Sequence, residues 1–419
     1  MISVFTPVHP PGLKWLPALE ESLFSQNYGD WEWIVLFNGG AESLHLTNVG
    51  GRVKAISDHN LKGIGALKRR ACEEATGDIL VEVDCDDLLR EDALEKVAEA
   101  FSDEKTHFAY SDFAEFDTKK WEPHVYGSYW GWDSYPTSYH HHPLTAMRAF
   151  SPNAHVMRRI EFAPNHIRAW RHESYRKVGG HNPKLTVGDD HELVCRTYMA
   201  FGSEGFHHIP ECIYYYRLHG KNTCKSEQNK KIQQQSAINY ETYYERMCLR
   251  DAQERGLLCL DLGGGIDGRG APYKTVDMQG EPDIKANLEG RWPFEDSSVG
   301  LVRASHIFEH LRDPIHTMNE LHRVLVPGGI AFIEVPSTDG RGAWQDPTHI
   351  SFWNQNSFWY YTRKTHTRYI PAFKGSFQDM HTRTLFPSKW WKDQNIPVVR
   401  SDLVALKPGV PRIPGAILN

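Results

Sequence analysis

Three carboxylates lie within four positions at Asp84, Asp86 and Asp87, directly after an apolar run at 79–83. Like charges at this spacing repel one another unless a cation binds among them. Their hard oxygen ligands suit Mg²⁺ or Mn²⁺, and these ions in turn bind diphosphates. The pattern therefore predicts a nucleotide-linked substrate. The alternative interpretation is a solvated acidic loop that caps a helix beginning near Glu91.

The elements that position these carboxylates alternate between short apolar strands and helical segments up to about residue 112. This alternation predicts a mainly parallel sheet covered by helices. Ligands of such sheets lie beyond the carboxyl ends of the strands, which is where residues 84–87 fall. The predicted strands are 2–7, 33–37, 53–57, 79–83 and 108–110, and the predicted helices are 13–25, 64–75 and 91–101.

The middle of the chain changes character twice. Residues 121–142 are rich in aromatic side chains and histidines without a clear period, which indicates a long ordered loop. A helix at 189–201 and strands at 206–209 and 213–218 follow. The polar stretch 221–255 carries apolar residues at roughly helical spacing, so we interpret it as a connecting helix that marks a domain boundary.

A second alternating series begins at residue 257 and predicts a second α/β sheet. The Pro-rich tail from residue 408 is expected to be loose. The predicted elements of this second half are strands 257–260, 273–276, 301–304 and 330–335 and a helix at 314–324.

Composition disfavours several classes of protein. The chain has 419 residues, 40% of them hydrophobic and 24% charged, which is ordinary globular composition and enough for two or three domains. Its net charge is -6 and its 47 basic residues are scattered, so no patch for nucleic acid or an anionic membrane is visible. Seven cysteines without a Cys-x-x-Cys pair, no leader sequence and no membrane-spanning apolar run favour a cytoplasmic protein.

Ordered motifs in residues 1–225 resemble those of a family 2 glycosyltransferase with the GT-A fold, first in its nucleotide-binding half and then in its acceptor half. The motifs are Ser3-Val4-Phe5-Thr6-Pro7, Gly63-Ile64-Gly65-Ala66-Leu67-Lys68-Arg69-Arg70, Ala75-Thr76-Gly77-Asp78, Val83-Asp84-Cys85-Asp86-Asp87, Gly188-Asp189-Asp190-His191-Glu192-Leu193 with Arg196, and Tyr216-Arg217-Leu218-His219.

This resemblance implies an inverting enzyme that uses a nucleotide sugar and a divalent metal ion. Asp84 would contact the nucleotide sugar, and Asp86 and His219 would bind the metal. Asp190, with Asp189 as the alternative, would be the base that takes the acceptor hydroxyl's proton. A favourable interaction with the helix dipole is the other explanation for acidic residues there. The remaining implied nucleotide-sugar contacts are Thr6, Pro7, Asn38, Gly63, Lys68, Cys85 and Arg217.

Two positions depart from the family pattern. Lys68 stands where the family more often has Arg, and its charge still suits a diphosphate. Phe37 occupies the place of an acidic residue that contacts the base, so base recognition would use stacking or Asn38, with UDP as the expected nucleotide. Aromatic side chains are candidate acceptor platforms because sugar rings pack on them, or they form a small core under the loop. The aromatic acceptor candidates are Trp130, Trp132 and Trp170.

A second resemblance covers about residues 256–362. A strand that runs into a glycine turn lets the backbone approach a nucleoside closely, and a second strand that ends in a carboxylate can bind ribose hydroxyls. The motifs are similar to those of class I S-adenosylmethionine-dependent methyltransferases, which have a Rossmann-like fold. They are Leu258-Cys259-Leu260-Asp261-Leu262-Gly263-Gly264-Gly265, Tyr273-Lys274-Thr275-Val276-Asp277, Pro293-Phe294-Glu295-Asp296, His306-Ile307-Phe308-Glu309-His310-Leu311 and Arg323-Val324-Leu325-Val326-Pro327-Gly328-Gly329.

The methyltransferase resemblance also implies site residues. Asp277 would contact the ribose of S-adenosylmethionine, and Asn287 its adenine, where Asp is more usual. Methyl transfer from a sulfonium needs mainly alignment, so the sequence need not supply an acid or base. His310 and His349 are acceptor-side candidates or structural residues. The amino-acid end of the cofactor would be lined by Asp261, Gly263 and Gly265.

Together these observations predict an α/β protein with a glycosyltransferase domain at 1–225, a helical linker at 226–255, a methyltransferase-like domain at 256–407 and a tail at 408–419. The first domain would use Mn²⁺ or Mg²⁺ to move a sugar from a nucleotide-diphosphate donor to a hydroxyl acceptor. The second would methylate a glycan or related product. The alternative is that the second half is a non-catalytic binding or docking module.

Overall fold

The computed structural model describes residues 1–41, 46, 49–128, 131–160, 163–164, 166–220, 222, 228–265 and 268–407. The chain divides into two compact units, Met1–Met247 and Cys248–Asn419. The division falls inside the long helix Gln228–Glu254. The domain limits expected from the sequence stay predictions. The tail at 408–419 and Trp130 lie outside the described residues.

The first unit contains one mixed sheet and the helices that cover it. Its strands are β1 (Ile2–Val8), β2 (Trp31–Phe37), β3 (Val53–Ser57), β4 (Ile79–Glu82), β5 (Leu88–Leu89), β6 (Phe108–Asp117), β7 (Pro123–His124), β8 (Ser134–Tyr139), β9 (His142–Met147), β10 (Arg168–Arg171) and β11 (Phe206–Leu218). Its helices are α1 (Leu16–Phe24), α2 (Ile64–Glu73), α3 (Ala93–Ala100), α4 (Ala154–Arg159), α5 (His172–Lys177), α6 (Asp189–Phe201) and the long helix α7 (Gln228–Glu254).

The strand order in the first sheet is β3-β2-β1-β4-β10-β6-β11-β5. The first four strands pair in parallel, and β10 pairs antiparallel with both β4 and β6. Every residue of β1 and β4 is buried, as expected of strands that are covered on both faces. Because β1 and β4 are parallel neighbours, their carboxyl ends lie side by side. This brings Pro7 and the 84–87 loop to one edge of the sheet.

Two segments of the first unit differ from the sequence prediction. The expected loop at 121–142 contains β7 and β8, and β8 pairs antiparallel with β9. Exposure alternates along β8, but its polar residues and Pro136 hid that period. The expected strands 206–209 and 213–218 form one strand, β11, because its pairing with β6 continues through register shifts around Cys212.

The second unit contains a seven-stranded sheet with the order β14-β13-β12-β15-β16-β18-β17. Its first strands pair in parallel, and β18 is antiparallel to β16 and β17, which confirms the predicted second α/β sheet. The strands are β12 (Leu258–Leu262), β13 (Lys274–Asp277), β14 (Ile284–Lys285), β15 (Val299–Ser305), β16 (Leu325–Pro336), β17 (Phe377–Leu385) and β18 (Val398–Ala405). The helices are α8 (Pro314–Val324), α9 (Gly342–Gln345), α10 (Trp359–Thr362), α11 (Lys364–Thr367) and α12 (Lys389–Asp393).

No helix in the described part of the chain combines the length and apolarity that crossing a membrane requires.

Candidate functional site

A cavity of about 390 Å³ opens in the first unit where β1, β4 and β11 end. Residues from the loop after β4, the start of α6 and the end of β11 face the same space. The lining residues that the sequence had singled out are Pro7, Lys68, Asp84, Cys85, Asp86, Asp189, Asp190 and His219. The cavity therefore collects most of the chemistry predicted for this half of the chain.

The three clustered carboxylates have different surroundings. Asp87 is buried and accepts hydrogen bonds from the Tyr214 hydroxyl (2.6 Å) and the Arg217 backbone N–H (2.8 Å), so it ties the loop to β11. Asp86 faces the cavity, and its Oδ2 lies 2.8 Å from His219 Nε2. Burial raises the pKa of Asp84 to about 6, against the opposing charges of nearby cations. Asp84 and Asp86 thus form the part of the cluster that a ligand can reach.

His219 is held in place by one contact of its ring and one of its backbone. It stacks on Trp15 with ring centroids 5.9 Å apart, and its backbone N–H donates to Asn222 Oδ1. The Arg217 guanidinium lies over the same Trp15 ring at 4.7 Å and donates through Nε to the backbone oxygen of Asp86 (2.7 Å). These contacts fix the spacing between the end of β11 and the acidic loop.

Arg168 links the two ends of the cavity. Its guanidinium forms an ion pair with Asp190, and its Nη2 lies 2.8 Å from Glu82 Oε1 and 3.6 Å from Asp84 Oδ2. Arg168 is only 5% exposed, so these interactions are weakly screened by solvent. The positive charges of Arg168 and Lys68 outweigh the effect of burial and hold the pKa of Asp190 well below its usual range. Asp190 is therefore an ionised carboxylate with about 30% of its side chain exposed.

Asp189, next to Asp190 in sequence, points into the interior. Its Oδ2 lies 2.9 Å from His181 Nδ1 and 3.4 Å from Lys68 Nζ. Lys68 also donates to Glu82 Oε1 at 2.8 Å, and all four side chains are buried. Burial raises the pKa of Asp189, but the Lys68 charge and His181 bring it below the ordinary value. Asp189 thus belongs to a buried charge cluster that forms part of the cavity wall.

The glycine turn of the second unit is closely packed. Gly263 has a φ of +81°, and a Cβ on it would lie 2.9 Å from Ile307 Cβ. A Cβ on Gly265 would lie 2.2 Å from the Gln279 carbonyl oxygen. Asp277 accepts hydrogen bonds from the backbone N–H groups of Gly265 (3.0 Å) and Gln279 (2.9 Å). Only glycine fits these positions, and Asp277 at the end of β13 holds the turn after β12.

The other predicted site residues of the second unit have separate surroundings. Asp261 is 5% exposed and accepts from the Arg269 backbone N–H at 2.8 Å. Asn287 is exposed and its side-chain oxygen accepts from the Glu289 N–H. His310 and His349 lie together with ring centroids 5.0 Å apart. The structure therefore brings the two histidines, which are 39 residues apart in sequence, into one cluster.

Comparison with known proteins finds family similarity in each unit. Residues 3–176 match the family described as glycosyl transferase family 2, and residues 265–333 match a methyltransferase domain. Each unit thus contains a segment that matches a known family. This confirms the resemblances and the predicted pair of α/β folds.

The similarity to individual proteins is more limited. Two proteins named "Uncharacterized methyltransferase", from Mycobacterium sp. strains KMS and MCS, are each 34% identical over an alignment of 100 residues. The match covers 19% of this chain and 38% of each relative. The crystal structure of S. aureus TarS 1–349 has a TM-score of 0.40 and 15% identity, covering 57% of this chain and 64% of TarS 1–349. For the TarS complex with UDP-GlcNAc the TM-score is 0.42, and this chain covers 66% of the TarS chain. The chain thus spans less than two thirds of each of these proteins.

Four residues predicted to contact the nucleotide-sugar donor are not among the residues that line the cavity. The buried Thr6 hydroxyl accepts from Trp33 Nε1 at 3.0 Å. Asn38 donates to the backbone oxygens of Asp58 (2.6 Å) and Leu61 (3.2 Å). Gly63 has a φ of +88° beside the Leu185 carbonyl, and Arg217 is 6% exposed. These side chains shape the loops around the cavity rather than line it.

Two aromatic acceptor candidates of this domain are core residues. Trp170 is fully buried, with its ring 5.0 Å from Phe108, so the expectation that it contacts an acceptor is wrong. Trp132 is 6% exposed and packs on Phe150 and Tyr126, which supports the alternative of a small core under the loop. The sequence could not distinguish these buried rings from accessible ones, because burial depends on which distant strands pair.

Sequence reasoning missed four polar residues of the glycosyltransferase domain. Arg168 and Glu82 form ion pairs at the cavity, His181 contacts Asp189, and His166 has a ligand atom within 4.8 Å of ligand atoms of Asp84 and Asp87. A charged residue inside an apolar run was the available signal for Glu82, because burying a charge without a partner is costly. Arg168 begins the short strand β10, which has arginine at both ends, and gave no such signal. No local signal distinguished either histidine.

Proposed function

We propose that the first unit is a metal-dependent inverting glycosyltransferase that moves a sugar from a nucleotide-diphosphate donor, with UDP the first candidate, to a hydroxyl acceptor. The observation that carries this proposal is the convergence of Asp84, Asp86, Asp190 and His219 on one cavity. Carboxylates for a cation and a separate carboxylate for a proton are the two requirements of direct displacement at a sugar carbon.

The charges around the cavity fit a divalent cation. In the described part of the chain, this network contains six carboxyl side chains and only three positively charged side chains. Asp86 and His219 would hold the ion, with Asp84 facing the sugar nucleotide. A bound divalent ion would stabilise the charge that develops on the departing diphosphate. The carboxylates are Glu82, Asp84, Asp86, Asp87, Asp189 and Asp190, and the cations are Lys68, Arg168 and Arg217.

The proton of the acceptor hydroxyl would pass to Asp190. The acceptor oxygen then bonds to the anomeric carbon from the face opposite the diphosphate, and the bond from that carbon to the diphosphate oxygen breaks. Asp190 suits this role because it is ionised and reaches the cavity. Asp189 suits it less, because its carboxylate is engaged with Lys68 and His181.

We propose that the second unit binds S-adenosylmethionine and methylates a glycan or a related hydroxyl compound. Asp261, Gly263 and Gly265 would contact the amino-acid end of the cofactor, and Asp277 its ribose. The close glycine packing supports this, because it brings the backbone of the turn to the end of β12, where ligands of parallel sheets lie. Asn287 would contact adenine.

A donor panel tests the glycosyltransferase proposal. UDP-, GDP- and dTDP-sugars are incubated with and without Mn²⁺, and released nucleoside diphosphate and glycosylated product are measured. We expect turnover with one nucleotide, dependent on Mn²⁺, and a loss of about 100-fold in Asp86→Asn. Asp78→Asn is the matched control, because Asp78 precedes the same strand at its other end and is 83% exposed. Undiminished turnover without metal would contradict the proposed site.

Calorimetric titration with S-adenosylmethionine tests the second unit. We expect saturable binding by the full chain and none by Gly265→Ala, since the added Cβ would collide with Gln279 and Asp277. Gly270→Ala is the matched control, because a Cβ there meets no atom within 4 Å. Absence of heat at high concentrations of the unmodified protein would retire the methylation proposal.

A further inference from the structure

Glu309, His310 and His349 form a mixed carboxylate and imidazole cluster in the second unit. One ligand atom from each lies within 4.8 Å of the others. Glu309 and His310 belong to a short 3-10 helix, Phe308–His310, that follows β15. The backbone N–H groups of Ile350 and Ser351 both donate to the Glu309 carbonyl (2.9 and 3.0 Å), which holds the two segments together.

Glu309 is an unusual residue for this position. Its side chain is 3% exposed, and neither carboxylate oxygen accepts a hydrogen bond from the described residues. His306 Nδ1 lies 3.3 Å from Oε1, which leaves Oε2 available. A buried carboxylate without hydrogen bonds is costly unless a cation compensates it. His306 supplies one cationic partner at Oε1, so Oε2 is the oxygen that remains for a further cation.

Both histidines are oriented through the same ring nitrogen. His349 Nδ1 lies 3.0 Å from the Ala343 carbonyl, and His310 Nδ1 lies 3.2 Å from the carbonyl and the hydroxyl oxygen of Thr348. Each contact favours a hydrogen on Nδ1 and a free lone pair on Nε2, as in metal-bound histidines whose other nitrogen is held by a backbone oxygen. Asp346 Oδ2 is 3.8 Å from His349 Nε2 and offers a further oxygen.

We infer that Glu309, His310 and His349 bind a divalent transition-metal ion, with Asp346 as an additional ligand. Two imidazoles and one carboxylate are ligands that suit Zn²⁺, Co²⁺, Mn²⁺ or Fe²⁺ better than Ca²⁺. Ligand atoms lie about 2.0–2.2 Å from Zn²⁺, so the side chains rotate inward on binding.

The position of this site suggests its chemical role, which rests on the proposed methyl transfer. Ile307, in the segment that carries Glu309, packs against the glycine turn at Gly263. An acceptor hydroxyl bound to the ion would lose its proton to water more readily. Its oxygen then bonds to the methyl carbon, and the bond from that carbon to the sulfonium breaks to leave a neutral thioether.

Zinc binding tests the inference on the full chain without an affinity tag. The background variant Asp84→Asn/Asp86→Asn/His219→Gln removes the proposed metal ligands of the first unit and one member of its group Asp84, Asp87 and His166. After chelator treatment, equilibrium dialysis against Zn²⁺ and elemental analysis should show one ion per chain. Adding His349→Gln or Glu309→Gln should weaken binding by about 100-fold or more. His316→Gln, whose ring contacts the Gly290 carbonyl, is the matched control and should bind as the background does.

Two further measurements separate the possible results. Circular dichroism checks that each variant is folded, and His310→Gln replaces any variant that is not. Titration with S-adenosylmethionine is run on the same samples. Cofactor binding with unchanged zinc affinity in the folded His349 and His310 variants would overturn the metal site but not the methyltransferase. If the background protein binds zinc, these variants lose that binding and no sample binds S-adenosylmethionine, the metal site stands and the methyltransferase proposal is overturned.

Discussion

Replacement of Asp190 with asparagine should lower kcat for sugar transfer by about 10²–10⁴-fold, the usual contribution of a positioned general base. Asparagine has nearly the same shape but cannot take the acceptor proton. The KM for the donor should change little, because the acidic loop and His219 are untouched. The measurement is initial-rate kinetics with the donor that the panel identifies.

Asp189→Asn is the informative comparison, since the two aspartates are adjacent but differ in surroundings. Asp189 is 2% exposed and neighbours Lys68 and His181. Removing its charge should lower the free energy of unfolding by about 3 kcal/mol, near the lower limit for a broken buried pair because Lys68 keeps Glu82. Asp190→Asn should change stability far less. The opposite result, with rate lost in Asp189→Asn alone, would transfer the role of base to Asp189.

Replacement of Arg168 with methionine should lower the free energy of unfolding by about 3–5 kcal/mol. The guanidinium is the shared partner of Glu82, Asp84 and Asp190, and methionine would leave these carboxylates with less compensation. Thermal and urea unfolding of the full chain measure the loss. Unchanged stability would contradict the description of Arg168 as the central cation of this network.

Arg168→Lys separates charge from geometry. A lysine keeps the charge but cannot contact several carboxylates through a planar fork, so it should recover part of the stability. Where Arg168 is replaced, the pKa of Asp190 should rise because its nearest cation is lost or moved. A base works only when deprotonated, so the acidic limb of the pH–rate profile should move to higher pH. The shift should be larger in Arg168→Met than in Arg168→Lys, provided that both fold.

The parts of this structure that sequence predicts well are those set by local pattern. The apolar run before Asp84 predicts β4, and the acidic start of α6 at Asp189 predicts that helix. The motif order also predicts the pairing of Asp86 with His219, 133 residues apart. In these cases the residues of a short segment are enough to predict its structure, or the order of the family motifs predicts which distant residues lie together.

The missed parts depend on which distant segments pair. Arg168 reaches the cavity because β10 lies beside β4, with Arg168 opposite Glu82, and no local pattern gives that register. The same strand directs Trp170 into the core, which is why an aromatic ring expected to meet an acceptor is buried. Glu309 and His349 likewise meet through the fold of the second unit. Side-chain direction on a strand changes with every residue, so register decides function.

Helix α7 bears on how the protein can be divided. Ile232, Ser236 and Asn239 on this helix line the cavity, and the Tyr243 hydroxyl donates to Glu192 at 2.6 Å. A chain cut after residue 225 would therefore lose one wall of this cavity together with a contact that covers α6. An amino-terminal fragment meant to keep the cavity intact should therefore include this helix.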